Sequence, residues 1–221
     1  MQLAVSSTVA PRGAEKWLSV VVLLILFTGV ANGQVNVTKI DSSKLPKQIK
    51  YLGHISNAVT WKDGQGVHYV LTTETGEYKS KDEDGEKVKN AELYAYHFVS
   101  KGDSIKQLWR IYDYSKDCDV DVSVAVIKKA FRVTDLNKNG VAEVWVMYEN
   151  QCTGDVSPAP TKIIMYEGNK KYAIRGEGGL RVVGKDYAKG QYTMDESFKN
   201  GNALFRQFAV NLWAKYNLKN L

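Results

Sequence analysis

From about residue 50 to residue 195, apolar positions recur at every second residue or in short runs, and glycine-rich breaks interrupt them. This is the period of β-strands, not of helices. Ala58 to Trp61 and Val67 to Thr73 flank Asp63-Gly64-Gln65-Gly66, a hairpin turn. Leu93 to Val99 and Ile105 to Tyr114 flank Lys101-Gly102-Asp103. Ile163 to Tyr166 and Lys171 to Ile174 flank Gly168-Asn169. The charged stretch Lys79 to Lys89 between the first two hairpins reads as a solvated loop. From Val120 to Val126 the valines alternate, and the apolar parity then shifts to Ile127, Phe131 and Val133. That shift predicts a β-bulge or sharp bend near Lys128. Val141 to Tyr148 is apolar on both faces except at Glu143, as expected of a central strand covered on both sides.

Helical periodicity enters only at the end. Leu204, Phe208, Leu212 and Tyr216 form one row, and Phe205, Ala209 and Trp213 the next. An amphipathic helix over about 200–217 follows, with a wide apolar face turned to the sheet. The expected fold is mainly β: antiparallel, hairpin-rich sheets with a C-terminal amphipathic α-helix packed on them.

The first 33 residues break this pattern. Arg12 and Lys16 precede an apolar run from Leu18 to Val30, and Ala31-Asn32-Gly33 supplies small residues. This reads as a secretory signal peptide, shorter in its apolar part than the roughly 20 residues a span requires. No stable membrane span is expected after cleavage. The expected organisation is a signal peptide over 1–33 and one exported β-rich domain over 34–221, periplasmic, outer-membrane associated or secreted. No Cys follows the apolar run, so nothing indicates a lipoprotein anchor.

Composition changes the picture in two places. A charged fraction of 24% beside 44% hydrophobic residues excludes bulk disorder. The net charge is +6, and it falls to +5 once Arg12, Glu15 and Lys16 are removed. In an exported protein this excess excludes nucleic acid as the expected partner and favours an acidic glycan or lipopolysaccharide. Cys118 and Cys152 are the only cysteines, in neither a redox nor a zinc spacing, so export makes a single disulfide the expected pairing.

Candidate chemistry is concentrated in one stretch. Asp135-Leu-Asn137-Lys-Asn139-Gly140-Val141-Ala-Glu143 places oxygen ligands at positions one, three and five, with glycine at six. This matches the opening of a calcium loop, with the Val141 carbonyl and Glu143 as further ligands. Strands flank it, so it resembles the inter-strand calcium loops of propeller repeats more than an EF-hand. Asp155 and Ser157, in the loop after Cys152, could line a polar site with Glu149. Gly179 to Asp186 approaches a P-loop spacing and fails at Asp186, where Ser or Thr should stand. His54, His68 and His97 fall in no metal or nucleophile motif, and His68 and His97 read as structural.

The words V-T-D-L-N-K-N-G-V-A-E-V-W-V-M-Y, C-T-G-D-V-S-P and K-I-I-M-Y-E-G-N-K-K-Y-A-I-R-G lie between residues 131 and 176. They resemble a family of exported proteins of Bacteroidetes-type bacteria that is linked by name to surface polysaccharide biosynthesis. The matching positions are Asp135, Asn137, Asn139, Gly140, Glu143, Cys152, Asp155, Ser157 and Pro158. The family carries Asp where this chain has Asn137 and Asn139. The resemblance implies a pathway and a compartment, not a reaction. The expected function is therefore a non-enzymatic envelope protein supporting surface polysaccharide biosynthesis or binding. Two alternatives stand beside it: an exported glycan hydrolase using carboxylates near the Cys152 loop, and a calcium-stiffened secreted interaction module.

Overall fold

A computed structural model describes residues 35–182 and 185–220. The expected signal peptide lies outside them. Strands β1 (Thr38–Lys39), β2 (His54–Lys62), β3 (Val67–Glu74), β4 (Tyr78–Lys81), β5 (Lys87–Lys101) and β6 (Ser104–Cys118) form one antiparallel sheet. In it β5 pairs with β3, β4 and β6. The chain continues through β7 (Val122–Val126), β8 (Arg132–Thr134), β9 (Glu143–Cys152), β10 (Pro160–Glu167) and β11 (Lys170–Glu177). It then runs through β12 (Gly179–Val182), β13 (Lys185–Ala188) and β14 (Gln191–Met194). β7 to β11 and β14 make the second antiparallel sheet. β12 and β13 join β15 (Leu218–Asn220) in a small third sheet, where β12 and β15 run parallel.

The two large sheets share a core. Val59, Trp61, Val70, Leu93 and Trp109 of the first meet Val124, Val144, Val146 and Ile164 of the second. β9 is central, paired to β10 on one side and to β7 and β8 on the other. Its even residues enter this core, while Trp145 and Met147 point to the opposite face. There α1 (Glu196–Lys199) and α2 (Ala203–Tyr216) cover the sheet with Phe198, Phe205, Ala209, Leu212 and Trp213.

Each helix starts at a side-chain cap. Asp195 accepts from the Phe198 N–H at 2.9 Å, and Asn202 accepts from the Leu204 N–H at 2.9 Å. The helix is thus shorter than the expected 200–217, because Asn202 caps its start and Asn200 ends α1. Leu204, placed by periodicity on the apolar face, is 53% exposed, and the Phe205 row is the buried one.

One further expectation changes. Lys79 to Lys89 is not a loop: β4 and the start of β5 pair within it, around a turn where Asp82 Oδ1 accepts from the Glu86 N–H at 2.8 Å. All four β4 residues are exposed, so charge is compatible with strand there. The bend near Lys128 is present, made by a 3-10 turn over Lys128–Ala130 and not by a bulge.

Candidate functional site

Cys118 and Cys152 form a disulfide, with a Cα–Cα distance of 5.9 Å. It joins the end of β6 to the end of β9 and so ties the two sheets together at one edge. Beside it runs a groove of about 550 Å³, lined by Tyr114 and Lys116 of β6, Asn150 and Gln151 of β9, and Thr153 and Ser157 beyond it. Asn150 Nδ2 donates to the Tyr114 carbonyl at 2.8 Å, fixing the floor. Ser157 and Thr153 hydroxyls each donate to Asp155 Oδ1 at 2.6 Å and hold its carboxyl below the usual range.

The expected polar trio is therefore only partly assembled. Asp155 and Ser157 are together, whereas Glu149 alternates with Asn150 on β9 and faces the other side of the sheet. Burial pushes the Glu149 carboxyl up, and Lys219 acts against that shift.

The groove continues onto an aromatic face that no sequence motif marked. On the outer face of β5 and β6, Glu92 stands opposite Tyr114 and Tyr94 opposite Tyr112. The Tyr94 and Tyr112 rings stack at 4.9 Å, and Tyr112 and Tyr114 lie 5.3 Å apart. The hydroxyls of Tyr78, Tyr94 and Tyr112 all donate to the Glu92 carboxylate. Burial works against the ionised form of Glu92, but these three donors outweigh it and hold the carboxyl low. The Tyr78 hydroxyl is pushed up to about 12, by burial first and Glu92 second.

Tyr112 and Tyr114 remain 38% and 48% exposed, with Arg110 and Lys116 poised over their rings at 6.0 and 4.9 Å. The neighbouring part of the same face is closed by the segment before β2. Leu45 and Ile49 pack there, and the Leu52 N–H donates to the Tyr96 hydroxyl at 3.2 Å. The tyrosines are the part left open. The signal for them was tyrosine at every second position, between Leu93 and Ala95 on β5 and between Ile111 and Asp113 on β6, which is legible only once the strand register is known.

The Asp135 loop lies at the other end of β9, a tight turn closed by its own side chains. Asp135 Oδ1 and Oδ2 accept from the Asn139 and Gly140 N–H groups at 3.1 and 3.0 Å. Asn137 and Asn139 Oδ1 accept from the N–H groups of Asn139 and Val141. Gly140 has φ +80°, a conformation that favours glycine. Glu143 does not reach into the loop as a ligand. It is fully buried and accepts from the Thr134 hydroxyl at 2.7 Å and the Leu136 N–H at 2.9 Å. Burial raises its pKa first, with Asp135 and Glu167 adding to the shift. The carboxylate that does meet the loop is Glu167 at the end of β10, which accepts from Asn137 and Asn139 Nδ2 at 2.6 and 2.8 Å. Among the described residues no three His, Cys, Asp or Glu side chains are grouped to hold a metal. A cation here would depend on amide and main-chain oxygens.

The two ends of β9 also weigh on hydrolysis. A ten-residue strand runs from Glu143 to Cys152, which is about 30 Å. Glycosidase carboxyl pairs lie within about 5–10 Å of each other. Glu143 and Asp155 therefore cannot act on one bond.

Near the Asp135 loop, sequence reasoning also missed a buried chain of polar groups. Asp63 Oδ1 lies 2.8 Å from His68 Nε2, and His68 Nδ1 lies 2.8 Å from His97 Nε2. His68 and His97 are structural, as their strand positions implied, but they also form a continuous network. Burial, and then the nearby His68, depress the His97 pKa to about 3.

No family model, no curated protein and no solved structure matches the chain.

Proposed function

We propose that the protein is an exported, non-enzymatic binding module for a surface polysaccharide of the bacterial envelope. In this reading the saccharide lies along the tyrosine face and enters the groove beside the disulfide. The observation that carries the reading is the continuity of the two surfaces, since Tyr114 and Lys116 belong to both. A sugar ring has an apolar face and a hydroxylated rim. Exposed phenol rings offer the matching apolar contact, and Asn150, Gln151, Thr153 and Ser157 offer donors and acceptors for the rim. Arg110 and Lys116 favour acidic sugars, which suits an acidic glycan or lipopolysaccharide. The disulfide is in keeping with an oxidising compartment. Among the described residues no helix is long and apolar enough to cross a membrane.

Calorimetry of the mature protein against purified envelope polysaccharide tests the proposal. Tyr114→Ala should weaken binding by about tenfold, equivalent to about 1.4 kcal/mol. An absence of binding, or binding indifferent to Tyr114→Ala, would refute it.

The same reading gives the Asp135 loop a stiffening role. Calcium would take oxygens from Asp135, Asn137, Asn139 and the Val141 carbonyl. Glu167 replaces Glu143, whose carboxylate is engaged by Thr134 and Leu136. Each amide oxygen has a second lone pair free for a cation. With so few carboxylates the affinity falls at the millimolar end of the range for extracellular sites.

A further inference from the structure

Among the described residues, three buried side-chain nitrogens lack a hydrogen-bond partner: Trp61 Nε1, Trp109 Nε1 and His97 Nδ1. All three belong to one cluster. The Trp61 and Trp109 rings each lie 5.2 Å from the His97 ring, and the three residues are only 4%, 6% and 4% exposed. Buried polar groups are almost always paired, so three bare ones in contact point to a missing partner.

The chemistry of that partner follows from the protons. The Asp63 carboxylate accepts from His68 and from the Gln65 and Gly66 N–H groups. His68 Nδ1 and His97 Nε2 share the proton of one 2.8 Å hydrogen bond. The two bare indole N–H groups are donors and require an acceptor, whereas the Asp63 and Asp135 carboxylates that share the cleft with Trp61 only accept. The missing group must accept and donate, and an O–H group does both.

The cluster borders a cleft of about 240 Å³, lined by Trp61 and also by Asn36, Lys62, Asp63 and Asp135. An anion would meet two carboxylates. A cation would meet Lys62 and offer no lone pair to an indole N–H. A neutral polyhydroxylated molecule meets no such conflict.

We propose that this cleft binds one neutral hydroxylated unit, a single sugar ring or comparable polyol. Its hydroxyls donate to Asp63 and Asp135, accept from Lys62, and reach the Trp61 indole N–H as the ring seats. The site is separate from the groove, which lies at the opposite end of β9, and it does not rest on the polysaccharide reading.

Intrinsic tryptophan fluorescence and calorimetry of the mature protein, titrated with neutral monosaccharides and polyols, test the proposal. The expected result is saturable binding of at least one compound. That binding should weaken by about tenfold or more in Trp61→Phe and in Asp135→Asn, with each variant's fold checked by circular dichroism. Asp63→Asn serves as a further variant if either fails to fold. No saturable binding by either method, with a high-resolution crystal structure showing only water beside Trp61 and His97, overturns the proposal. Binding that survives Trp61→Phe and Asp135→Asn intact overturns the placement.

Discussion

Removing the disulfide provides the sharpest energetic test of the architecture. Cys118 and Cys152 are 34 residues apart, and they close a loop containing all of β7, β8 and most of β9. The chain-entropy relation for a loop of this length gives about 4 kcal/mol at 25 °C, most of it from restricting the unfolded chain. For a domain of this size each kcal/mol moves Tm by about 2–4 °C, so the double variant Cys118→Ala/Cys152→Ala should melt about 8–16 °C lower. Differential scanning calorimetry gives the shift, and urea unfolding gives the free energy. The urea m-value should also rise, because an unlinked unfolded chain exposes more surface. Cys118 is only 1% exposed, so the lost sulfur packing adds to the entropic term and cannot mask it. A free-energy change under about 1 kcal/mol would contradict the reasoning. It would mean that the unfolded chain is already confined near this crossing without the bridge.

Three further outcomes are expected. Trp213 is 3% exposed beneath α2, so Trp213→Ala should cost about 3–5 kcal/mol in chemical denaturation; a change below about 0.5 kcal/mol would show the helix face is not core. Burial opposes ionisation of Asp113, but hydrogen bonds from Lys162 and Tyr148 outweigh it and leave its pKa lowered. Its contribution is complete above the unfolded value of 3.8 and is lost as pH falls through the lower folded value. Asp113→Asn should accordingly flatten the acid limb of the stability–pH curve, and an unchanged limb would exclude this role. Calcium should raise the wild-type Tm, Asp135→Ala and Glu167→Gln should abolish the rise, and Glu143→Gln should keep it; a Tm indifferent to calcium and chelator would reduce the loop to a turn.

The hairpins around Gly64, Gly102 and Gly168 and the existence of the central strand, though not its true bounds Glu143–Cys152, were legible because period and turn chemistry are local. The same holds for the Asp135 loop, whose backbone is set by Gly140 and its own side chains. Three features were hidden because they depend on register between distant strands. Charge made Lys79 to Lys89 look like a loop, yet a strand exposed on both faces can carry it. Glu143 was counted as a ligand by spacing, while strand pairing with Glu167 decides which carboxylate meets the loop. The tyrosine face and the Asp63–His68–His97 chain each draw on three separate strands or turns, and no linear spacing encodes them.

The division of the sheets along the sequence bears on how the chain is made. Every described strand through Cys118 belongs to the first sheet, and in it every pair joins strands that are adjacent or next but one in sequence. A chain emerging N-terminus first can therefore close these hairpins while Cys152 is still unsynthesised. Until the second half arrives, Trp61, Leu93 and Trp109 have no opposing layer, and the inner face of that first sheet is a sticky intermediate. Vectorial folding thus places the risk of aggregation in one interval, between the emergence of β6 and the docking of β9, and the oxidation of the two thiols marks its end.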